Sequence, residues 1–193
     1  FAASIIKLFI FFYIISIYSV NADNNKFYSN DKGIVSIMYH RFNENQHPST
    51  NIKIDIFKKQ IELINNKKIS FITPSNFDKN FNLRKSEKKI LLTIDDAFSS
   101  FYQNAWPILK KKKIPFILFV STQSVGNYGY MTWEQIKEIE KENFAVIGHH
   151  SHSHKYLIDK TNSEFILDIE QANKLFLDNI GYVPKIFSYP FGE

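Results

Sequence analysis

The feature that most constrains this chain is a repeated alternation of short apolar or β-branched runs with longer stretches whose apolar residues recur at helical spacing. Ile34-Val35-Ser36-Ile37-Met38, Ile69 to Ile72 (stopped by Pro74), Ile90-Leu91-Leu92-Thr93-Ile94, Phe116 to Val120, Phe144 to Ile147 and Ile186-Phe187-Ser188 read as strands. Asp55 is placed to cap a helix with Phe57, Ile61 and Ile64 at i, i+4 and i+7. A helix over Trp106 to Lys112 has Pro107 in its first turn. Thr132 caps Trp133 to Lys141, with Gln135 completing a capping box. Thr161 and Glu164 form a second box, ahead of Phe165, Ile169, Ala172, Phe176 and Ile180 on one stripe, closed by Gly181. Strands separated by helices cannot pair as hairpins, so the pattern predicts an α/β fold with a parallel sheet or barrel. The unbroken apolarity of 90–94 marks a strand buried on both faces.

Two segments stand outside that pattern. Lys7 precedes an apolar run, Leu8 to Tyr18, then Ser19-Val20-Asn21-Ala22. A positive charge, a short apolar stretch and small residues ending in Ala read as a secretory signal spanning 1–22, an uncleaved anchor being the other reading. The expected location is therefore secreted, periplasmic or cell-envelope, with membrane contact only through an uncleaved segment. Residues 23–33 are a polar lead-in, and 34–193 form one domain without repeat or linker. Cys is absent, so any metal must sit on His and carboxylates. A net charge of +5 is compatible with an acidic polymer but too mild for nucleic acid. The run Lys110 to Lys113 reads as a solvated helix end that suits the dipole.

Three segments carry chemistry, each just after the carboxyl end of a predicted strand, where active sites gather in parallel α/β folds. Asp95 and Asp96 follow a buried strand, and two adjacent carboxylates there need a positive neighbour. Alone, the pair reads more readily as a solvated turn or helix cap. His149-His150-Ser151-His152-Ser153-His154 holds four of the chain's six histidines. His150 and His154 have the i, i+4 spacing that sets two imidazoles on one helical turn, suited to a divalent metal. His149 and His152 read as solvent-facing or supporting residues. Ser188-Tyr189-Pro190-Phe191-Gly192 alone reads as a turn. Two neutral His and one Asp make a three-ligand site with an open position, and the neighbouring Asp becomes a candidate general base.

These residues resemble the motifs of the polysaccharide deacetylase family, the NodB homology domain. Thr93-Ile94-Asp95-Asp96-Ala97 resembles its Thr-Phe-Asp-Asp-Gly motif, and His150-Ser151-His152-Ser153-His154 its His-Ser/Thr-x-x-His motif. Ser188-Tyr189-Pro190-Phe191 partly matches its Arg-x-Pro-Tyr/Phe motif. Met38-Tyr39-His40-Arg41, Ala105 to Leu109, Ile114-Pro115-Phe116 and Met131-Thr132-Trp133 are similar to intervening stretches of family members. The resemblance implies a distorted (β/α) barrel, one divalent ion (usually zinc) on Asp96, His150 and His154, and Asp95 taking a proton from the attacking water. The backbone N–H of Phe191 falls where the family takes an oxyanion donor. The implied partner is an acetylated amino-sugar glycan of the N-acetylglucosamine type. Ala97 replaces a Gly, so the turn is expected to be one that tolerates a Cβ. Ser188 replaces an Arg, as in an exopolysaccharide-acting poly-N-acetylglucosamine subgroup. Later family motifs supply an acetyl pocket and a His general acid. With none of these before Glu193, the domain is expected to be C-terminally truncated and inactive as a piece. Two other readings remain: a glycan-binding protein that kept the fold without turnover, and a His segment that buffers metal. Zinc, cobalt, nickel and iron all suit the ligand set.

Overall fold

A computed structural model describes residues 33–76 and 88–193, so the signal-peptide reading and nearly all of the lead-in lie outside the described residues. Among these, the strands are β1 (Gly33–Tyr39), β2 (Arg41–Phe42), β3 (Asn51–Ile52), β4 (Ser70–Phe71), β5 (Lys88–Ile94), β6 (Phe116–Val120) and β7 (Ala145–His149). The helices are α1 (Ile54–Asn66), α2 (Trp106–Lys112), α3 (Trp133–Glu140) and α4 (Asn162–Ile180). None of the described helices is long and apolar enough to cross a membrane.

The α/β expectation holds, with a main sheet that is parallel throughout. Its strands run β1-β5-β6-β7, with β4 also on β5. β1 pairs with β5 along its length, from Gly33 opposite Lys88 to Tyr39 opposite Ile94. The other edge of β5 is shared, β4 joining near its start and β6 at its end. Ile90 to Ile94 are all buried because both faces are covered. Leu92 and Ile94 join Leu118, Ile147 and the helix residues Phe57, Leu109, Ile136 and Phe176 in the larger core. Leu91 faces the other way, into a small cluster with Ile72, Ile117 and Phe119. Alternation over two apolar faces is why this strand reads as one continuous apolar run. Among the described residues the sheet ends at β1 on one side and at the segment beyond β7 on the other, and these ends are not paired with each other.

Local signals placed most elements well. Thr132 and Thr161 both form complete capping boxes, with Gln135 and Glu164. Gly181 closes α4 in the left-handed conformation, at φ 82°. Pro107 lies in the first turn of α2, which is preceded by a wider, π-helical turn over Phe101–Ala105. Lys110, Lys111 and Lys112 occupy its last turn, and Lys110 also pairs with Glu138 at 2.9 Å.

Two expectations need correcting. Asp55 is not the cap of α1; Lys53 is, without a side-chain bond, and Asp55 lies in the first turn. The cap comes from afar, because Asn43 Oδ1 accepts from the Ile54 amide at 2.9 Å. Ile186-Phe187-Ser188 is not a full strand. Phe187 makes one parallel bridge to His149, through His149 N to Ile186 O (2.8 Å) and Ser188 N to His149 O (2.9 Å). Pro184 and Pro190, which cannot donate, flank that short ladder.

Gly148 on β7 is required by close approach. A Cβ there would overlap the ring of Phe119 on β6 and crowd Ile117. The glycine lets that ring lie against β7 on the way to the site.

Candidate metal centre

Parallel strands aim their carboxyl ends the same way, so the residues after β1, β5 and β7 meet at one end of the sheet. The Asp95 amide donates to the Tyr39 carbonyl at 2.8 Å, tying the ends of β5 and β1 together. The chain then turns sharply, with φ of 71° at Asp96 and 55° at Ala97. This left-handed region costs a residue with a Cβ roughly 1–2 kcal/mol. Ala97 therefore does not escape the demand for glycine, as the expectation of a Cβ-tolerant turn had it. It is held in the strained form, with its carbonyl accepting from the Met131 amide at 2.8 Å.

His150 and His154 do converge, but not on a helical turn. Residues 150–154 form a loop in which Ser151 and His154 have φ of 64° and 51°. Local side chains outcompete a helical ladder there. The Ser151 amide donates to His149 Nδ1 (3.0 Å) and the His154 amide to Ser151 Oγ (3.1 Å). Asp168, on α4, accepts from the His152 amide at 2.8 Å and from the Ser153 amide at 3.3 Å. Folded back in this way, the rings of His150 and His154 lie 5.0 Å apart at 67°.

Both rings face Asp96. Its Oδ1 is 2.9 Å from His154 Nε2 and 3.6 Å from His150 Nε2, and one ligand atom from each of the three residues falls within 4.8 Å of the others. Ligands about 2.0–2.1 Å from a tetrahedral zinc-sized ion stand about 3.3 Å apart, so these spacings fit a shared cation. Asp96 Oδ1 is buried without a well-aligned hydrogen bond, the 2.9 Å approach of His154 Nε2 being a polar contact. An acceptor in that position calls for something positive. His150 Nδ1 donates to the Ser188 carbonyl at 2.8 Å, which holds the proton on Nδ1 and leaves Nε2 free to coordinate.

Asp95 lies beside this group, with Oδ2 3.9 Å from His150 Nε2 and Oδ1 buried without a hydrogen bond. Burial, and then the Asp96 carboxylate, push its pKa up to about 7. Asp96 moves the other way. Burial alone would raise it, but contact with His154 and the fields of His154, His150 and His40 outweigh that and hold it low. Burial lowers His150, whereas contact with Asp96 raises His154. Two adjacent carboxylates pushed apart in this way can take different roles.

The other motif residues fall as follows. His149 is not solvent-facing: it is buried, with its ring against Phe176 and Phe187 at 5.2 and 5.0 Å. His152 Nδ1 shares a hydrogen bond with Thr122 Oγ1 at 2.9 Å. Phe191 lies in the turn Pro190–Gly192 with φ 60°, its ring 4.8 Å from that of His154. Sequence reasoning assigned no role to two residues that matter here. His40, following β1, is lowered by burial and feels Asp96, His154 and Arg41; its signal was the Met38 to Arg41 run. Asp168 had no signal beyond being a charge inside an apolar helical stripe.

A parallel α/β sheet with an Asp-His-His group at its carboxyl end, and a second carboxylate beside it, puts a group able to hold a metal ion where active sites gather in such folds. The chain belongs to the polysaccharide deacetylase family, whose profile matches residues 82–193, and that family is metal-dependent. It is 31% identical over 110 residues to a Bacillus subtilis protein named as polysaccharide deacetylase YxkH, covering 57% of this chain and 39% of that protein. It is 27% identical over 150 residues to the poly-β-1,6-N-acetyl-D-glucosamine N-deacetylase of Staphylococcus aureus, covering 70% and 52%. The chain thus spans about half or less of the length of these curated relatives. The structure of IcaB from Ammonifex degensii superposes with a TM-score of 0.74 at 28% identity, over 84% of this chain and 76% of that one. The Streptococcus pyogenes deacetylase PplD matches with a TM-score of 0.71 at 22% identity, over 82% and 74%, a likeness of fold. The parallel sheet is thus that of the NodB-type deacetylases.

Proposed function

We propose that this chain is the motif-bearing part of a hydrolase that removes acetyl groups from an N-acetylglucosamine-type polysaccharide. Asp96, His150 and His154 hold one divalent ion, and zinc suits two imidazoles and a carboxylate with an open position. The observation that carries the reading is the buried Asp96 Oδ1, without a well-aligned hydrogen bond, facing two imidazole nitrogens at 2.9 and 3.6 Å. The name of the Staphylococcus aureus relative supports the substrate class.

A bound ion would supply Lewis acidity, easing ionisation of a water and polarising the acetamide carbonyl. Asp95 accepts the proton of the attacking water on its carboxylate, and burial beside Asp96 raises its basicity for that task. Asp96, kept ionised, contributes charge to the ligand set. The Ser188 carbonyl keeps His150 in the ligating tautomer. The backbone N–H of Phe191 donates to the developing oxyanion.

In the protein made from the full reading frame, Asp95→Asn should lower acetate release by roughly 10²–10⁴-fold while metal content stays the same. Asp96→Asn should lose the metal. Full activity in Asp95→Asn would end the proposed role, and metal retained without Asp96 would favour a simple buffering His segment. Glycan binding without acetate release in the wild type would favour the non-catalytic reading that Ala97 and Ser188 motivate. Export through 1–22, with cleavage after Ala22, belongs to the same proposal; N-terminal sequencing of the secreted protein should begin at Asp23, and an intact leader would refute it.

A further inference from the structure

Two large aromatic side chains stand in solvent beside the proposed metal ligands. Tyr156 is 44% exposed and Phe191 57%. They come from separate segments, one following the His loop and the other in the Pro190–Gly192 turn. Their rings nevertheless stack at 4.1 Å and 18°, and the Phe191 ring meets that of His154 at 4.8 Å and 70°. The three rings form a continuous series leading from a proposed ligand out to the surface.

Burial does not explain this placement, because both rings remain largely wet. Phe191 is also held at φ 60°, and a bulky residue kept in that strained region points to a use for its position. The mutual stacking covers the inner face of each ring and orders both, so an incoming ligand meets the outer face of Tyr156 backed by Phe191. His154, Tyr156 and Phe191 border a cavity of about 480 Å³, within the range of small-ligand sites. Its lining carries both signs of charge, Lys155 and Lys160 together with Asp159 and Glu164. An apolar ring surface edged by donors and acceptors suits a pyranose, whose C–H face lies on the ring while its hydroxyls reach outward. A strongly charged ligand would call for a fringe of one sign.

We propose that Tyr156 and Phe191 form a sugar-stacking subsite holding the residue next to the one whose acetyl group is removed, so that the enzyme favours polymer over monomer. This inference rests on the deacetylase reading of the same site. The test compares an N-acetylglucosamine pentamer with a single N-acetylglucosamine glycoside, using the full protein. Tyr156→Ala should lower the pentamer-to-monomer ratio of kcat/KM by roughly three- to tenfold, mainly through the KM of the pentamer. Tyr156→Phe should keep the ratio, whereas Tyr156→Leu, which retains bulk without a ring, should lose it. A ratio unchanged in Tyr156→Ala would overturn the subsite, as would an equal loss in Tyr156→Phe and Tyr156→Leu. Calorimetric titration of the pentamer into the Asp95→Asn variant, with and without Tyr156→Ala, separates the two claims. If the wild type releases no acetate but Tyr156→Ala still weakens pentamer binding by that factor, the deacetylase reading falls and the platform stands. If binding is indifferent to Tyr156, the platform falls whatever the activity.

Discussion

Asp168 touches none of the candidate ligands, yet it shapes the loop that carries two of them. It is 4% exposed, and a carboxylate so deep is tolerable only with good partners. It has them in the His152 and Ser153 amides, the Ser153 hydroxyl and the Lys160 ammonium at 3.6 Å. Burial would raise its pKa, but those hydrogen bonds and Lys160 outweigh it and hold the carboxyl below its ordinary value. A carboxyl depressed in the folded state adds stability that is full above the ordinary carboxylate range and is lost as pH falls through the folded value. Asp168→Asn is expected to remove about 2–3 kcal/mol at neutral pH, and its stability should fall less steeply on acidification than that of the wild type. Urea denaturation at pH 7 measures the first and a series from about pH 5 down to about pH 2, which spans the depressed value, the second; equal acid slopes for the two proteins over that range would refute the account. The contrast with Asp95 and Asp96 is instructive. That pair was legible because two carboxylates in a row after an apolar strand are chemically odd. A single Asp inside a helical stripe looked like a break in the pattern.

At the scale of elements, the short-range signals of the helix caps and of the α4 end were read correctly. The two capping boxes each close between residues three apart, and Gly181 relieves its own left-handed conformation. The misreadings have other causes. The cap of α1 lies eleven positions upstream at Asn43, so no local pattern could reveal it. The His run has helical spacing, but hydrogen bonds from its backbone amides to the side chains of Ser151, His149 and Asp168 hold it as a loop. The i, i+4 argument therefore picked two imidazoles that do meet at Asp96, but for the wrong local reason. They meet because the five residues 150–154 fold tightly, which brings the first and last histidines of the motif together in either conformation. The Ile186 to Ser188 run was apolar enough for a strand, yet one bridge to His149 is what forms between its flanking prolines.

For the whole molecule, the proposed ion is expected to act as part of the fold as well as of the site, since its three ligands come from two segments far apart in sequence, the turn after β5 and the loop after β7. A divalent cation that binds only the folded protein adds RT ln(1 + [L]/Kd), about 2.7 kcal/mol at a hundredfold excess over Kd. Zinc should therefore raise the melting temperature of the full protein, a chelator should reverse the rise, and Asp96→Asn should show neither effect. Identical melting curves with zinc and with chelator would count against a shared ion. Much of this architecture could be read from residue order, because strand and helix periodicities are local and alternating elements leave little choice but a parallel sheet. The identities of Asp95, Asp96, His150 and His154 were equally readable, since buried carboxylates and clustered imidazoles carry their chemistry in their composition. Folding had to supply the rest: which nitrogen faces Asp96, the Ser188 carbonyl that orients His150, the Asp168 anchor and the stacking of Tyr156 on Phe191. These are contacts between residues 15 to 54 or more positions apart, or choices of direction, and they arise when parallel strands bring distant loops to one end of a sheet.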